Sequence, residues 1–553
     1  MSRFYFLGLL ACLINTSALA APASSTSLLY NVTGYSLNSG RVERFSALEF
    51  QGDTITAVYP TPEAAKASKA NERIDGGGAT LLPGLIDAHG HVGGYGKSLS
   101  QVDLVGVTSE KAAGARVAEV AATESKDWIL GRGWNQALWP GKSFPTRESL
   151  DKVAPDQPVA LVRIDGHALW VNSAALELAG IDASVSDPPG GQIIRDASGV
   201  ATGVLVDNAM NLINQVIADD SDQQVVEYQR RALDKLAGYG LTSVHDARSD
   251  ARSIRAYQAL AEKQALAIRV YPMLDVLDAG IDPYLAAGPV IDPTHMLDIR
   301  SVKISADGAL GSRGAAMIAD YSDEPGHRGL LLLSDAELEH HINRAMAAGY
   351  QVNTHAIGDL ANQRVLDLYQ PLLAKNTAAG LRHRIEHAQV LRPQDIPRFR
   401  TLNVIASVQP THATSDKNMA EDRVGADRLQ GAYAWKSLLD AGTRMAGGSD
   451  FPVEHPNPFH GLYAAITRQG QDGEPPGGWL PEQKLSRAEA LHLFTEGAAY
   501  AAHQEHLIGR LAPGYYADFI LVDSDYFTMP ESDIWKTRVL ETWVAGRRVY
   551  GTD

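Results

Sequence analysis

The stretch Leu81-Leu-Pro-Gly-Leu-Ile-Asp-Ala-His-Gly-His-Val-Gly93 decides the fold of this chain. Its apolar run, Leu81 to Ile86, indicates a short buried strand that leads into Asp87-Ala-His89-Gly-His91. Because alternate residues of a strand point to the same face, His89 and His91 project side by side. Two imidazoles in this arrangement suit a divalent transition metal, although an ordinary strand end with two histidines fits the same short motif.

Seven further β-rich runs follow, and each is succeeded by a helical pattern. We predict these strands at 241–245, 268–273, 301–305, 351–355, 382–387, 403–408 and 443–446. One helix between them opens with the capping box Ser334-Asp-Ala-Glu337. Together with the first strand, the eight units predict an α/β fold with a (β/α)8 TIM-type barrel. Active sites of such barrels lie at the carboxyl ends of the strands.

The chain has 553 residues, far more than the roughly 250 of a typical barrel. We place the barrel at residues 83–504, with an inserted subdomain after strand 1 at about residues 100–235. That insert contains half of the eight tryptophans, which suit either a substrate surface or the insert's own core. Residues 21–82 and 505–553 alternate short strands with turns, and we expect both termini to build one small β-sandwich.

The first 20 residues have the pattern of a secretory signal peptide. Arg3 precedes an apolar run from Phe4 to Ile14, and Ala18-Leu-Ala20 is a small-x-small cleavage site. The apolar run is too short to span a bilayer. We therefore expect a periplasmic or secreted protein cleaved after Ala20. The alternative is a lipoprotein anchored through Cys12, the only cysteine of the chain.

The composition and charge of the chain limit the kinds of molecule that it is expected to bind. With 45% hydrophobic and 21% charged residues, the chain is an ordinary globular protein. Its formal net charge of −16, with no local cluster of lysine and arginine, disfavours nucleic acid and anionic lipid. We expect a small-molecule substrate and no membrane-spanning segment. The sequence is compatible with a homo-oligomer.

Three further predicted strand ends carry metal-ligand types of residue. Strand five ends in Thr354-His355, strand six in Glu386-His387, and strand eight leads to Ser449-Asp450. Each is a weak signal alone, because histidines at strand ends commonly serve as hydrogen-bonding residues. Together with the His-x-His motif, on strands one, five, six and eight of one barrel, they predict a metal centre.

These motifs resemble the amidohydrolase superfamily, and within it amidohydrolase family 3, the YtcJ-like branch that includes N-substituted formamide deformylases. The resemblance covers nearly all of the chain after the first 20 residues. It rests on Leu82-Pro-Gly-Leu-Ile-Asp-Ala-His-Gly-His91, Ser243-Val-His-Asp246, Val302-Lys-Ile-Ser-Ala-Asp-Gly-Ala-Leu-Gly-Ser-Arg313, Thr354-His-Ala-Ile-Gly-Asp359, Arg384-Ile-Glu-His387, Gly448-Ser-Asp-Phe-Pro-Val453 and Gly509-Arg-Leu-Ala-Pro-Gly514.

The resemblance implies one or two divalent metal ions, with Zn2+ the expected metal. It also implies that Lys303, on strand four, is carboxylated by CO2 to an anionic carbamate that bridges two metals. An unmodified ammonium has no lone pair to offer a cation, and a plain ion pair with Asp307 is the alternative for Lys303. The ligands implied by the resemblance are His89, His91, Lys303, His355, His387 and Asp450.

The implied reaction is hydrolysis of a C–N bond, of amide or formamide type, by a metal-activated hydroxide. Asp450 is the expected catalytic residue, taking a proton from water and passing it to the leaving nitrogen. For the substrate, which we expect to be small and partly aromatic, the predicted contacts are His167, Arg313 and Trp134. His245 and His412 fit either the mouth of the site or ordinary hydrogen bonding.

Other functions fit the same motifs. Within the superfamily these are peptidase-like, lactone-cleaving and deaminating enzymes. From another class, a binding protein that has lost its chemistry would keep the barrel but lose ligands, whereas all six ligand positions are filled here.

Overall fold

The computed structural model describes residues 25–123, 128–136, 139–163, 168–188, 191–311, 313–375 and 380–551. The predicted signal peptide, its cleavage site after Ala20 and Cys12 lie outside the described residues, so they stay predictions. No helix in the described part of the chain is long and apolar enough to cross a membrane.

The strands of the described residues are β1 (Thr26–Tyr30), β2 (Thr33–Asn38), β3 (Arg41–Phe45), β4 (Ala47–Gln51), β5 (Thr54–Tyr59), β6 (Glu72–Asp75), β7 (Thr80–Pro83), β8 (Leu85–Gly90), β9 (Val102–Asp103), β10 (Ile129–Trp134), β11 (Val159–Arg163), β12 (Ala168–Val171), β13 (Gly191–Arg195), β14 (Ala201–Asp207), β15 (Leu241–Ser249), β16 (Arg269–Asp275), β17 (Ser301–Ser305), β18 (Gln351–Ala356), β19 (Arg384–His387), β20 (Ile405–Val408), β21 (Met445–Gly447), β22 (Phe519–Val522), β23 (Val539–Val544) and β24 (Arg547–Tyr550).

The α-helices of the same residues are α1 (Pro62–Ala65), α2 (Val92–Ser98), α3 (Glu110–Thr123), α4 (Arg147–Asp151), α5 (Ser173–Leu178), α6 (Asn211–Asn214), α7 (Asp222–Ala237), α8 (Ala251–Glu262), α9 (Asp282–Ala287), α10 (Asp335–Ala347), α11 (Asp359–Lys375), α12 (Ile396–Leu402), α13 (Pro410–Asp416), α14 (Ala420–Val424), α15 (Trp435–Asp440), α16 (Pro458–Thr467), α17 (Arg487–Leu493) and α18 (Glu496–Ala501).

Eight parallel strands form the barrel, in the order β8, β15, β16, β17, β18, β19, β20 and β21. The first and last strands meet just beyond their carboxyl ends. There the Asp450 N–H donates to the His89 carbonyl oxygen and the His91 N–H to that of Phe451, both at 2.7 Å. Every residue of β8 is buried, as expected for a parallel strand covered on both faces. The predicted TIM-type barrel is confirmed, and the capping box at Ser334 opens α10 as predicted.

The apolar run from Leu81 to Ile86 is not one strand. It divides at Gly84 into β7, which belongs to a different sheet, and β8, which begins the barrel. A Cβ atom at Gly84 would lie 2.2 Å from the Thr242 Oγ1 atom, so the chain can pass this close to β15 only with glycine. The single predicted strand was therefore wrong, because an unbroken apolar run does not show where the chain changes sheets.

The two termini combine into the predicted β-sandwich. A six-stranded sheet runs in the order β24, β23, β22, β7, β2 and β3, so it mixes strands from both ends of the chain. A four-stranded sheet in the order β5, β4, β1 and β6 lies beside it, and their shared core includes Phe50 and Phe519. The buried ion pair between Arg269 of β16 and Asp518, at 2.7 Å, ties this sandwich to the barrel.

The inserted subdomain follows β8, as predicted. Its six strands form one sheet in the order β13, β14, β12, β11, β10 and β9. Trp134, Trp139 and Trp170 pack together in the core of this sheet and its helices. The next helix, α7, already belongs to the barrel, because Leu233 and Leu236 pack into the barrel's core.

Candidate metal centre

The predicted ligands come together at the carboxyl end of the barrel. His89 is the next-to-last residue of β8, and Lys303 and His355 lie on β17 and β18. His387 is the last residue of β19. Asp450 follows β21 by three residues. The carboxyl ends of the barrel strands all lie at the same end of the barrel, so residues from distant parts of the chain come together there in one buried cluster.

The Asp450 carboxylate lies at the centre of the first group of ligands. Its Oδ1 atom is 3.0 Å from the Nε2 atom of His91 and 3.6 Å from that of His89. The Nζ atom of Lys303 lies 3.1 Å from the same His89 nitrogen. These spacings bring two imidazole nitrogens and a carboxylate oxygen close enough to share one cation.

The second group of ligands lies beside the first. The ring centroids of His355 and His387 are 4.4 Å apart, and those of His89 and His387 are 4.8 Å apart. In two sets of three residues, one ligand atom from each residue lies within 4.8 Å of the others. These sets are His89, His91 and Asp450, and His387, His412 and Asp450. The side chains therefore offer ligands on both sides of the aspartate.

A buried carboxylate orients the His89 ring. The Nδ1 atom of His89 lies 2.5 Å from the Glu386 Oε2 atom, and both side chains are completely buried. Glu386 belongs to β19, on the far side of the barrel from β8, so this contact crosses the barrel interior. A proton on Nδ1 leaves the lone pair of Nε2 facing Lys303 and Asp450, which is the form that binds a cation.

Two other histidines are oriented in the same way. The His387 Nδ1 atom lies 2.7 Å from the Gln409 Oε1 atom, and the His91 Nδ1 atom lies 2.9 Å from the carbonyl oxygen of Ala247. Each acceptor favours a proton on Nδ1 and so leaves the Nε2 lone pair free. The pattern fits the needs of a bound metal rather than those of an ordinary polar core.

His355 has the opposite arrangement. Its Nε2 atom lies 3.4 Å from the Gly308 carbonyl oxygen and 3.5 Å from the Asp307 Oδ1 atom. These acceptors favour a proton on Nε2, so the lone pair of this histidine is on Nδ1. The Asp307 carboxylate is itself held by the backbone N–H groups of Ala316, Ile357 and Gly358.

Burial keeps the imidazoles of His89, His355 and His387 neutral. It lowers the pKa of His89 and of His387 well below the ordinary value of 6.5. Burial, together with the positive charge of Lys303, lowers the pKa of His355 to about 3. Neutral imidazole is the form that coordinates a metal, so little competition from protons is expected near neutral pH.

Asp450 is ionised and held in an unusual backbone conformation. Burial acts to raise the pKa of this carboxyl, but its close contacts with His91, His89 and His387 outweigh that effect and keep the pKa well below the usual value. The φ angle of Asp450 is 61°, in the left-handed region, and that of His387 is 75°. Such conformations cost about 1–3 kcal/mol each and are common where a site must aim a side chain.

The Asp87 carboxylate links the first barrel strand, β8, to the segment that follows the last one, β21. Its Oδ1 atom accepts the His89 N–H at 3.0 Å, and its Oδ2 atom accepts the Ser449 hydroxyl at 2.7 Å. Burial raises the pKa of Asp87 to about 7, and the hydrogen bonds from Ser449 act against that rise. Asp87 therefore fixes both β8 and the segment that carries Asp450.

Lys303 forms no ion pair among the residues that the structure describes. Its side chain is buried, and burial lowers the pKa of the ammonium group. Asp307, the carboxylate that the sequence offered as its partner, is occupied by backbone N–H groups instead. The simple ion-pair alternative for Lys303 is thus not what the structure shows.

His245 and His412 have different surroundings. His245 is buried below the cluster, where its Nδ1 atom lies 3.0 Å from the Arg384 guanidinium, so it is part of the polar core. The His412 ring stacks on that of His387, with centroids 5.9 Å apart and planes inclined by 16°. Its Nε2 atom lies 3.7 Å from the Asp450 Oδ2 atom.

The predicted substrate contact by Trp134 is wrong. Its side chain is 0% exposed, and its indole N–H donates to the Leu161 carbonyl oxygen at 2.7 Å. Trp139 and Trp170 surround it, with ring centroids 6.1 and 6.2 Å away. These rings make the core of the insert, which is the alternative that the sequence left open.

Arg313, another predicted substrate contact, does not join the cluster. The Arg313 guanidinium lies 2.9 Å from Asp323 and 3.2 Å from Glu324, on a partly exposed loop after β17. It is thus already paired with two carboxylates. His167 lies outside the described residues, so its role stays a prediction.

Comparison with known proteins agrees with this architecture. The model of the amidohydrolase family matches residues 72–550. The putative amidohydrolase YtcJ of Bacillus subtilis is 33% identical over 90% of this chain and 97% of its own length. The N-substituted formamide deformylase of Arthrobacter pascens is 27% identical over 90% of this chain and 94% of its own length.

A solved structure shows the same fold. The crystal structure of an uncharacterised metal-dependent hydrolase from Pyrococcus horikoshii superimposes with a TM-score of 0.77 and 28% identity. It covers 92% of this chain and 99% of its own. The chain therefore belongs to the amidohydrolase family, and the buried histidine–aspartate cluster at the strand ends is its candidate metal centre.

Proposed function

We propose that this protein is a metal-dependent hydrolase that cleaves the C–N bond of a small amide or formamide. The observation that carries the proposal is the Asp450 carboxylate, which faces the Nε2 atoms of His89 and His91 at 3.6 and 3.0 Å. A buried aspartate beside imidazole nitrogens is suited both to hold a cation and to accept a proton. The similarity to a deformylase and to a metal-dependent hydrolase supports this reading.

The residues fit up to two divalent cations, for which zinc is the proposed metal because four imidazoles predominate. A cation bound there polarises a carbonyl group and lowers the pKa of a coordinated water towards about 7. His89, His91 and Asp450 would hold one cation and His355 and His387 the other, and a carbamate on Lys303 would supply a further anionic ligand to the centre.

The carbamate on Lys303 has a physical basis in its surroundings. Only the neutral form of an amine has the lone pair that reacts with CO2, and burial favours that form by lowering the pKa of Lys303. The Nζ atom lies 3.1 Å from the His89 Nε2 atom, so a carboxyl group on it would be next to the ligands. The resulting anion would also reduce the repulsion between two cations.

Carbon-13 NMR of the metal-loaded protein equilibrated with labelled bicarbonate tests this step. We expect a carbamate signal that is absent from Lys303→Ala, and the variant should hold less metal than the wild type. Lys69→Ala, on the terminal sandwich, is the matched control and should keep both signal and metal. Full metal occupancy in Lys303→Ala without a carbamate signal in the wild type would make Lys303 structural only.

Asp450 performs the proton transfers of the proposed reaction. Its carboxylate takes one proton from the attacking water as the water oxygen bonds to the carbonyl carbon. When the C–N bond breaks, Asp450 returns that proton to the leaving nitrogen, so the products are a carboxylic acid and an amine. The lowered pKa keeps Asp450 in the ionised form, which is the form that can take a proton.

Exposed apolar side chains near the carboxyl ends of the barrel strands suggest which kind of group the substrate carries besides the amide. Leu277 follows β16 and is 53% exposed, and Val453 follows Asp450 and is 66% exposed. Exposed apolar side chains at strand ends offer a surface for an apolar substituent. We therefore keep a small, partly aromatic amide as the proposed substrate, with these side chains in the place that the sequence had assigned to Trp134.

A panel of compounds tests the proposed reaction. Metal-loaded protein would be assayed with N-benzyl and N-aryl formamides and amides, N-acyl amino acids, dipeptides, lactones and aminopyrimidines. We expect amine release from the formamides and amides, with Val453→Asp raising KM for the N-benzyl compounds. Turnover confined to lactones, to dipeptides or to ammonia release would replace the proposal with the corresponding member of the superfamily. Metal binding without any turnover would favour a binding protein.

A further inference from the structure

One polar group at the metal centre has no assigned task. His412 is the third residue of α13, the short helix after β20, and it is 8% exposed. Its ring stacks on His387, which brings it to the side of the cluster where the second group of ligands lies. The sequence left it either at the mouth of the site or in an ordinary hydrogen bond.

The Nε2 atom of His412 has no hydrogen-bond partner among the described residues. Leaving a buried ring nitrogen unpaired is unfavourable, so such atoms in native sites usually meet a ligand or water. This nitrogen points towards the Asp450 Oδ2 atom, 3.7 Å away. The other carboxylate oxygen of Asp450, Oδ1, faces His89 and His91 instead.

The nearby acidic residues do not account for His412, because each has other partners. The Asp416 carboxylate accepts the Tyr433 hydroxyl at 2.7 Å and the Gln389 amide at 3.0 Å. The Glu454 carboxylate accepts the Ser415 hydroxyl at 2.5 Å. Among the described residues, His412 therefore lies within ion-pair distance of only the Asp450 carboxylate, at 3.7 Å. No other ion pair of these residues gives it a purely structural role.

We propose that His412 is a further catalytic residue, whose Nε2–H donates a hydrogen bond to the carbonyl oxygen of the substrate as negative charge develops on it. This inference rests on the proposed amide hydrolysis. The carbon under attack must lie within reach of the Asp450 Oδ2 atom, which exchanges protons with the water and with the leaving nitrogen. His412 faces that same oxygen, and its stacking on His387 places its N–H beside the region where the carbonyl oxygen is polarised.

The hydrogen bond transfers no proton, so His412 acts by stabilising the charged oxygen. Removing one donor of this kind typically lowers kcat by about 10²–10³-fold. Because the interaction is stronger in the transition state than in the bound substrate, KM should change little. A metal ligand would behave differently, since its removal lowers metal occupancy.

The experiment compares His412→Ala and His412→Gln with the wild type and with Ser415→Ala, a control on the same helix. Metal content, kcat and KM would be measured on metal-loaded protein with the best amide of the panel. We expect both His412 variants to keep the metal content of the wild type while kcat falls about 10²–10³-fold. Ser415→Ala should stay within about threefold of the wild type.

A second measurement does not depend on the identity of the substrate. Methylphosphonate carries tetrahedral, anionic oxygens like those of the intermediate, and its affinity for metal-loaded protein can be measured by calorimetry. We expect weaker binding in His412→Ala and unchanged binding in Ser415→Ala. A loss of metal in the His412 variants would make His412 a ligand, and unchanged kcat or unchanged methylphosphonate affinity would also overturn the inference.

The two proposals fail in distinguishable ways. If the wild type hydrolyses no amide or formamide, the proposed function is wrong, and the methylphosphonate comparison still decides whether His412 contacts an anionic oxygen. If the wild type is active and the His412 variants match it, only the present inference is wrong.

Discussion

The Nδ1 atom of His89 and the Oε2 atom of Glu386 lie 2.5 Å apart, in a contact that crosses the interior of the barrel. His89 comes from the first barrel strand and Glu386 from the sixth, so only the closed barrel brings them together. The carboxylate accepts a hydrogen bond from the imidazole N–H and makes the opposite ring nitrogen a stronger ligand. Arg384, whose guanidinium is 3.9 Å from Glu386, balances part of the buried charge.

Glu386→Gln should weaken metal binding without removing a ligand. The amide keeps an acceptor of similar shape but loses the charge, so we expect metal affinity to fall about 10–100-fold. Competition with a zinc chelator measures the affinity. Glu505→Gln, which removes a carboxylate paired with Arg382 away from the cluster, is the control. Equal affinities in Glu386→Gln and the wild type would show that Glu386 does not tune His89.

Asp450→Asn should preserve the fold and remove most of the activity. The asparagine side chain has nearly the same shape but cannot accept the proton from water, and loss of an acid–base group typically costs about 10²–10⁴-fold in rate. Steady-state kinetics, with metal content measured on the same samples, checks the prediction. An Asp450→Asn enzyme within about threefold of the wild type would exclude Asp450 as the proton acceptor.

Trp134→Ala should lower stability rather than substrate affinity. The indole is fully buried among other tryptophans of the insert, and removing a buried ring of this size typically costs about 3–5 kcal/mol. Denaturant unfolding would measure the loss, and Trp134→Phe should lose less. A stable Trp134→Ala protein with a raised KM would instead return Trp134 to the substrate pocket.

His383 should make the protein less stable in acid. Its Nδ1 atom accepts the Val352 N–H at 3.0 Å, and burial lowers its pKa from 6.5 to about 4. Between pH 6.5 and 4 the unfolded chain therefore binds a proton that the folded chain does not. Stability falls as the pH falls through this range, by up to ~3 kcal/mol for this group.

Urea unfolding between pH 7 and pH 4 measures this dependence. His383→Gln should show a smaller loss of stability over the range than the wild type, whatever its stability at pH 7. His506→Gln, which changes a side chain that is 87% exposed, should leave the pH dependence unchanged. The same slope in His383→Gln and the wild type would contradict the assignment.

The barrel and its ligand positions could be predicted because local patterns carry them. The barrel strands are short β-rich runs followed by helical patterns, and the ligands lie within or shortly after them, as at Lys303 in the middle of β17, His387 at the end of β19 and Asp450 three residues after β21. The division of the first run at Gly84 could not be predicted in this way. Both strands are fully buried, so hydrophobicity does not change where one sheet ends and the next begins.

The parts of the site that depend on tertiary contacts were not visible in the sequence. Glu386 stands next to His387 in the chain, but its task is set by His89, which comes from a barrel strand that does not neighbour its own. Gln409 and His412 lie after strand seven, where no ligand was expected, and the pairing of β20 with β19 brings them to His387. Tryptophans gave a misleading signal, because large rings serve a core as well as a pocket.

Activity as a function of bound metal tests the central claim most directly. Metal-free protein would be titrated with zinc in the presence of bicarbonate, and the rate of amine release from the best amide would be measured at each metal content. We predict negligible activity without metal, a rise as metal binds, and a plateau at no more than two ions per chain. Full activity in protein shown by elemental analysis to contain no metal would contradict the account.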